Sequence, residues 1–285
     1  MTLAASRQCE RCDGELDQDL LRSGPLKKIC LECLSDEERD ALQHDLDVAA
    51  QIQARLLPAR SFSFGRWQIY YHYEPLGIVS GDHIDLIRPG RTGRDLHFLF
   101  GDVAGKGVAA SMLMANLQAL FRSLVSQQLA LTEIMERANN LFFESTASNA
   151  YATLVAGRLA EDGRLEYANA GHNPPFLVRC DCVASLAANA LPFGLGADTR
   201  YTPESLELEP HDFVFLYTDG VSEAQDGSGR EFGAARIEQS LHESRGRDAN
   251  DVVRTTLQSL HDFQAGEPHI DDVTAMAIRW RGSVS

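Results

Sequence analysis

Basic residues are scarce: 26 lysines and arginines stand against 41 aspartates and glutamates, a net charge of −15 over 285 residues. Such a surplus repels polyanions, so neither nucleic acid nor an anionic membrane is expected as a partner. Long apolar runs are lacking as well. No stretch approaches the roughly 20 residues that span a bilayer, and residues 1–7 carry no apolar leader. A cytoplasmic, reducing compartment is therefore expected. Cysteine is limited to six residues. Four of them fall as Cys9-x2-Cys12 and Cys30-x2-Cys33, the spacing of a zinc ribbon and not of a disulfide framework.

Thiolates at Cys9, Cys12, Cys30 and Cys33 can close a tetrahedral site around one structural Zn2+, stapling a segment too short for a core of its own. Charges around it are nearly balanced. That suits a sensor or interaction module where a regulatory protein docks better than it suits a nucleic-acid reader. Cys180 and Cys182 alternate in a strand-like stretch and read as small buried hydrophobes or plain loop residues.

Ser35-Asp36-Glu37-Glu38 has the form of a capping box, and helix formers then run to Leu57 before Pro58 stops them. Leu42, Leu46, Ala49, Gln53 and Leu56 step by four and three, a short heptad seam. Barely two heptads are marginal alone. The seam becomes useful if two copies pair along it as a homodimer, or if it packs on the domain that follows. The expected organisation is a four-cysteine zinc-ribbon module over 1–34, a coupling helix over 35–58 and one large domain over 59–285.

Within that domain, strands are predicted at Trp67–Tyr73, Leu96–Phe100, Tyr151–Ala160, 165–170, Phe176–Arg179, Phe213–Tyr217 and Val273–Trp280. Helices are predicted at 108–127, 131–144, 234–243 and 248–264. Runs of strands broken by paired helices imply an α+β fold, with antiparallel sheets and not a βαβ repeat.

The Gly101–Gly107 loop has the glycines and lysine of a phosphate loop but the wrong spacing. Only three residues separate Gly101 from Gly105, and Gly107, not a hydroxyl residue, follows Lys106. It is one of four short acidic signatures: Ser80-Gly81-Asp82, Gly101-Asp102-Val103, Thr218-Asp219-Gly220 and Asp271-Asp272-Val273-Thr274. Each sets an aspartate at a strand end or in a glycine turn. Carboxylates there can point into a shared cleft, and an all-oxygen donor set suits hard divalent cations.

Together with Ile52-Gln53-Ala54-Arg55-Leu56-Leu57-Pro58, Tyr167 through Pro175, Pro192-Phe193-Gly194-Leu195 and Leu216 through Ala224, these motifs resemble the PPM-type, metal-dependent Ser/Thr phosphatases, in their bacterial SpoIIE/RsbU-like branch. The likeness covers about residues 46 to 280. It implies a type 2C fold, an antiparallel β-sandwich flanked by helix pairs. It also implies two Mn2+ or Mg2+ ions bridged by Asp102, with the Val103 carbonyl on one, Asp219 and Asp271 on the other, and Asp82 beside them. The implied activity is hydrolysis of phosphoserine or phosphothreonine by a metal-activated water. The implied substrate is an anti-sigma factor antagonist or a similar signalling domain. A catalytically silent scaffold binding partners through the same fold is the competing reading. His83 is expected to be a packing residue and His172 a hydrogen-bonded turn residue, with Asp272 and Thr274 supporting Asp271.

Overall fold

The computed structural model describes residues 12, 33–90, 93–146, 150–180 and 182–282. The chain divides into two compact units, Met1–Ile52 and Gln53–Ser285. In the first, Cys12 is exposed and Cys33 half-buried, while Cys9 and Cys30 lie outside the described residues, as does most of the four-cysteine module. Helix α1 (Asp36–Leu56) begins in the first unit and runs into the second. Its capping box is formed: Glu38 N donates to Ser35 Oγ at 3.2 Å and Ser35 N to Glu38 Oε2 at 2.8 Å. Those bonds occupy two of the orphan donors of the first turn.

The second unit carries two antiparallel sheets. One has six strands: β1 (Ser61–Phe64), β2 (Trp67–Glu74), β11 (Val273–Trp280), β10 (Phe213–Tyr217), β7 (Phe176–Val178) and β8 (Val183–Ser185), in that order. The other has five: β3 (His83–Ile87), β4 (Leu96–Val103), β5 (Ala152–Leu159), β6 (Arg164–Ala170) and β9 (Glu204–Glu207). Helices α2 (Gly107–Val125) and α3 (Leu131–Ser145) cover the five-stranded sheet. The single turn α4 (Asp219–Ser222) follows β10, and α5 (Gly233–Glu243) with α6 (Ala249–Gln264) covers the six-stranded sheet. The layers are helix, sheet, sheet, helix.

Strand alternation sorts the side chains into three cores. Leu96, Phe98 and Phe100 of β4 join Val214 and Leu216 of β10 and Met276, Ile278 and Trp280 of β11 between the sheets. The opposite faces of the same strands, Leu99 and Val103 or Phe213, Phe215 and Tyr217, pack under the helix pairs. Each fully buried side chain of this size contributes about 1.5–3 kcal/mol of burial free energy. Trp67 and Trp280 meet at 4.9 Å between ring centroids, and Trp67 Nε1 donates to Ala160 O across the sheets at 2.7 Å.

Two details depart from the sequence expectations, and a third decides between two alternatives they left open. β4 continues through Asp102 to Val103, so Asp102 ends a strand and does not sit in the turn beyond it. Cys180 and Cys182, expected as small buried hydrophobes or plain loop residues, are both exposed beside the β7–β8 turn and so are the latter. And α2, at 19 residues, is the one helix among the described residues long and apolar enough to cross a membrane by length and composition, closer to that limit than the sequence suggested. Its inward residues Ala110, Met114, Leu117, Phe121, Leu124 and Val125 are buried in the domain.

Candidate active site

The face that strand alternation turns toward the gap between the sheets changes character at one end. Counting by twos from Phe98 and Phe100 reaches Asp102; from Ile84, Asp82; from Val214 and Leu216, Thr218; from Met276, Thr274. Apolar positions give way to carboxyls and hydroxyls at this one mouth. Thr218 Oγ1 donates to Asp82 Oδ2 at 3.1 Å and accepts from Thr274 N at 3.2 Å, tying the three strand ends together.

Asp219 opens α4 two residues beyond β10, and Asp271 lies two residues before β11, next to it in the six-stranded sheet. Gly220 makes their closeness sterically feasible: a Cβ there would fall 1.9 Å from Asp272 O. Gly81 does the same on the other side, where a Cβ would meet Val103 O at 2.9 Å and Asp102 Oδ1 at 3.1 Å. The niche at Gly81 thus has the Val103 carbonyl and the Asp102 carboxylate as its walls.

Three of these carboxyls are shifted by burial and by neighbouring charges. Asp82, 1% exposed, is held well above the usual carboxylate range by burial and then by the Asp102 charge. Burial, followed by the charges of Asp219 and Asp271, pushes Asp102 up to about 7. Asp219 is raised by burial and by Asp271. Like charges gathered in a desolvated mouth take up protons unless cations keep them ionised. One cation is already supplied by the chain. Lys106, held between Gly105 at φ +110° and Gly107 at φ +68°, places Nζ 2.8 Å from Asp271 Oδ2 and 3.1 Å from Ile270 O. Its own pKa is raised by the bond to Asp271. Positive φ at both flanks is a conformation that glycine alone adopts without strain.

No three His, Cys, Asp or Glu groups among the described residues yet close on a single ion. The donor chemistry nonetheless fits Mn2+ or Mg2+: every inward group is an oxygen, and the raised carboxyls with an ammonium seated among them mark a place where positive charge is wanted.

Asp272 has a different role from the one its sequence position suggests. Its backbone N donates to Asp271 Oδ1 at 2.9 Å, but its carboxylate braces the loop carrying Asp82. Oδ1 accepts from Leu76 N at 2.6 Å, while Oδ2 accepts from Ser80 Oγ at 2.6 Å and Gly81 N at 3.3 Å. Thr274 likewise lies toward Asp82. Ser80 Oγ in turn accepts from Asp82 N at 3.0 Å. The backbone of Ser80 is gripped by Gln53, the one buried residue of α1: Gln53 Nε2 donates to Ser80 O at 2.7 Å and Ser80 N donates to Gln53 Oε1 at 3.0 Å. The sequence showed Gln53 only as a polar step in an apolar seam, and that anomaly was the available signal.

His172 is the turn residue expected. It is buried, with Nδ1 2.9 Å from Thr153 Oγ1 and its backbone bonded both ways to the Asn169 side chain, and burial lowers its pKa to about 4. His83 is buried within β3, also lowered to about 4 by burial, with neither ring nitrogen hydrogen-bonded. Asp85, fully buried, was not foreseen; Arg122 of α2 grips it with two bonds of 2.7 and 2.8 Å, anchoring α2 to β3.

Residues 92–281 match the family model of stage II sporulation protein E (SpoIIE). The chain belongs to the SpoIIE family. Its second unit has the fold of a PP2C-type protein phosphatase domain, as in the SiaA-PP2C domain of Pseudomonas aeruginosa. That structure superposes with a TM-score of 0.72 at 18% identity, covering 85% of this chain and 98% of that one. The PP2C domain of SpoIIE from Bacillus subtilis gives 0.68 at 19% identity, over 77% and 63%. In sequence the chain is 26% identical over 277 residues to protein IcfG of Synechocystis sp., 86% of this chain and 43% of IcfG. It is 23% identical over 241 residues to phosphoserine phosphatase RsbU of Bacillus subtilis, 84% of this chain and 70% of RsbU. The chain therefore spans less than half of IcfG and about two thirds of RsbU.

Proposed function

We propose that this SpoIIE-family chain is a metal-dependent protein phosphatase that removes phosphate from serine or threonine of a cytoplasmic signalling partner of the anti-sigma factor antagonist type. The observation that supports the reading is the mouth between the sheets, where the Asp102 carboxyl lies beside the Val103 carbonyl and within the influence of Asp82, Asp219 and Asp271. Asp102 and Val103 on one side, and Asp219 and Asp271 on the other, would hold two Mn2+ or Mg2+ ions, with Asp82 beside them. Bound there, the ions supply an acidified water for in-line attack on phosphorus and charge to steady the phosphoryl oxygens. The chain's own part is to hold the carboxylates within a shared reach. Thr218 orients Asp82, Asp272 fixes the loop beneath it, and Lys106 offsets charge at Asp271.

Likeness to RsbU, and to phosphoserine phosphatase RsbP at 27% identity over 191 residues, supports the reaction class. A solved structure of RsbX with magnesium, similar at a TM-score of 0.57, supports the choice of hard cation for the fold. The spacing of Cys9, Cys12, Cys30 and Cys33 supports a zinc module feeding α1, with Gln53 as the point where that helix touches the site loop. Metal analysis of the purified chain, with one zinc lost when Cys12 is replaced, tests that part.

Hydrolysis of p-nitrophenyl phosphate with added Mn2+ tests the catalytic reading. Manganese-dependent turnover that disappears in Asp102→Asn is expected. A chain inert with either ion is instead a silent scaffold that binds partners through this fold.

A further inference from the structure

From Gly107 to Phe121 there is no charged residue, although 24% of the chain is charged. Packing explains the inward half of that stretch. It does not explain the outward half. Val108 is 45% and Met112 68% exposed, four residues apart and so on one side of α2. The next step on that side is Asn116, whose Nδ2 donates to Ser145 Oγ of α3 at 3.3 Å, and one turn back from Ser145 stands Leu141, 44% exposed. Exposed apolar side chains thus form a strip along the first turns of α2, and Leu141 of α3 lies beyond the Asn116–Ser145 hydrogen bond.

The strip begins at the carboxylates. Lys106, immediately before α2, reaches Asp271, and a Cβ on Gly81 would lie 3.2 Å from that of Ala110 in the first turn of α2. Val108 and Met112 are about 6 Å apart along the helix axis, the reach of two residues of an extended peptide.

Resting on the function proposed above, we infer that this strip, centred on Val108 and Met112, receives an apolar side chain flanking the phosphorylated residue of the protein substrate. A phosphoprotein that delivers its phosphoryl group to the mouth must lay its neighbouring residues on the adjoining surface, and this surface is continuous with the mouth. Cations at the mouth can hold the phosphoryl group, but the strip beside it carries no charged side chain to attract the flanking residues. The chain is strongly acidic and a phosphorylated partner adds negative charge, so recognition beside the site falls to apolar burial. An exposed, unbranched methionine adapts to varied partners.

The test uses two synthetic phosphoserine peptides of about nine residues, alike except for leucine or serine at the positions flanking the phosphoserine. The full chain, with Mn2+, is expected to prefer the leucine peptide by about tenfold in kcat/KM, mainly through KM, as partial burial of one leucine allows. Met112→Glu should bring the ratio near one, and Met112→Leu should keep it. A ratio near one in the unaltered chain, or a tenfold ratio retained by Met112→Glu, overturns the inference. So does sedimentation showing that Met112→Glu only splits a dimer while the ratio stands, which gives the strip to a second copy of the chain. If p-nitrophenyl phosphate and both peptides go unhydrolysed, the catalytic reading fails separately. Fluorescence anisotropy of the two peptides on the same protein then decides the surface, equal affinities overturning it.

Discussion

Gln53 of α1 holds Ser80 by both backbone groups, at 2.7 and 3.0 Å, two residues before Asp82. Truncation to alanine strands a buried donor and acceptor, a cost of about 1–3 kcal/mol. Gln53→Ala is expected to lower activity and to raise the manganese concentration needed for half-maximal rate, because the loop bearing Asp82 loses its outer brace. A manganese titration of p-nitrophenyl phosphate hydrolysis checks this. An unchanged half-saturation point would separate Gln53 from the site.

Two glycines beside the carboxylates should fail differently. Gly220→Ala drives a methyl group into the Asp272 backbone, so both stability and activity should fall, with about 1–3 kcal/mol of overpacking. Gly81→Ala presses instead on Val103 O and the movable Asp102 carboxylate. The 2.9 Å approach to a backbone oxygen is milder than the 1.9 Å one at Gly220, so Gly81→Ala should lose less stability than Gly220→Ala while still losing most of its activity. Thermal melts alongside rates distinguish the two outcomes.

In metal-free protein Asp102 should cost stability as pH rises, while the buried His83 and His172, lowered to about 4, act in the opposite sense. Asp102 sits at about 7 in the fold, against about 4 in an unfolded chain. Between those values the native state holds a proton that the unfolded state has released, so unfolding becomes easier with increasing pH. Asp82 and Asp219 are shifted in the same direction. In chelator, Asp102→Asn should raise Tm relative to the unaltered chain more at pH 8 than at pH 5, a comparison from which the histidines cancel. A Tm difference between the two proteins that does not change with pH would contradict the burial and crowding described.

Lys106 and an incoming cation compete for Asp271. The pair is largely exposed, which limits its worth to about 1 kcal/mol. Lys106→Ala should therefore bind Mn2+ up to about fivefold more tightly by calorimetry. Weaker binding would make the lysine a contributor to the metal site and not a rival.

The sequence made the centre of the fold legible and its margins obscure. β10 and β11 announce themselves because both faces of Phe213–Tyr217 and Val273–Trp280 are buried, giving largely apolar runs with an aspartate just past the end of the first and just before the start of the second. Edge strands gave no such signal. Ser61–Phe64 and Glu204–Glu207 are short and mostly exposed, so no burial pattern was imposed on their residues. β3 was hidden by Asp85, a polar residue in a buried position that makes sense only once Arg122, 37 residues on, is seen across from it. The four acidic motifs pointed to the mouth because strand ends deliver them. The supporting bonds of Gln53 and Asp272 could not be read, since each depends on a partner 27 or nearly 200 residues away.

The claim on which the account depends is that Asp82, Asp102, Asp219 and Asp271 together hold two divalent ions. Anomalous X-ray scattering from crystals grown with Mn2+ tests it directly. Two manganese peaks flanking the Asp102 carboxylate, with Asp219 and Asp271 on one of them and both weakened in Asp102→Asn, are predicted. Manganese absent from this mouth, or bound there unchanged without the Asp102 carboxylate, would contradict it.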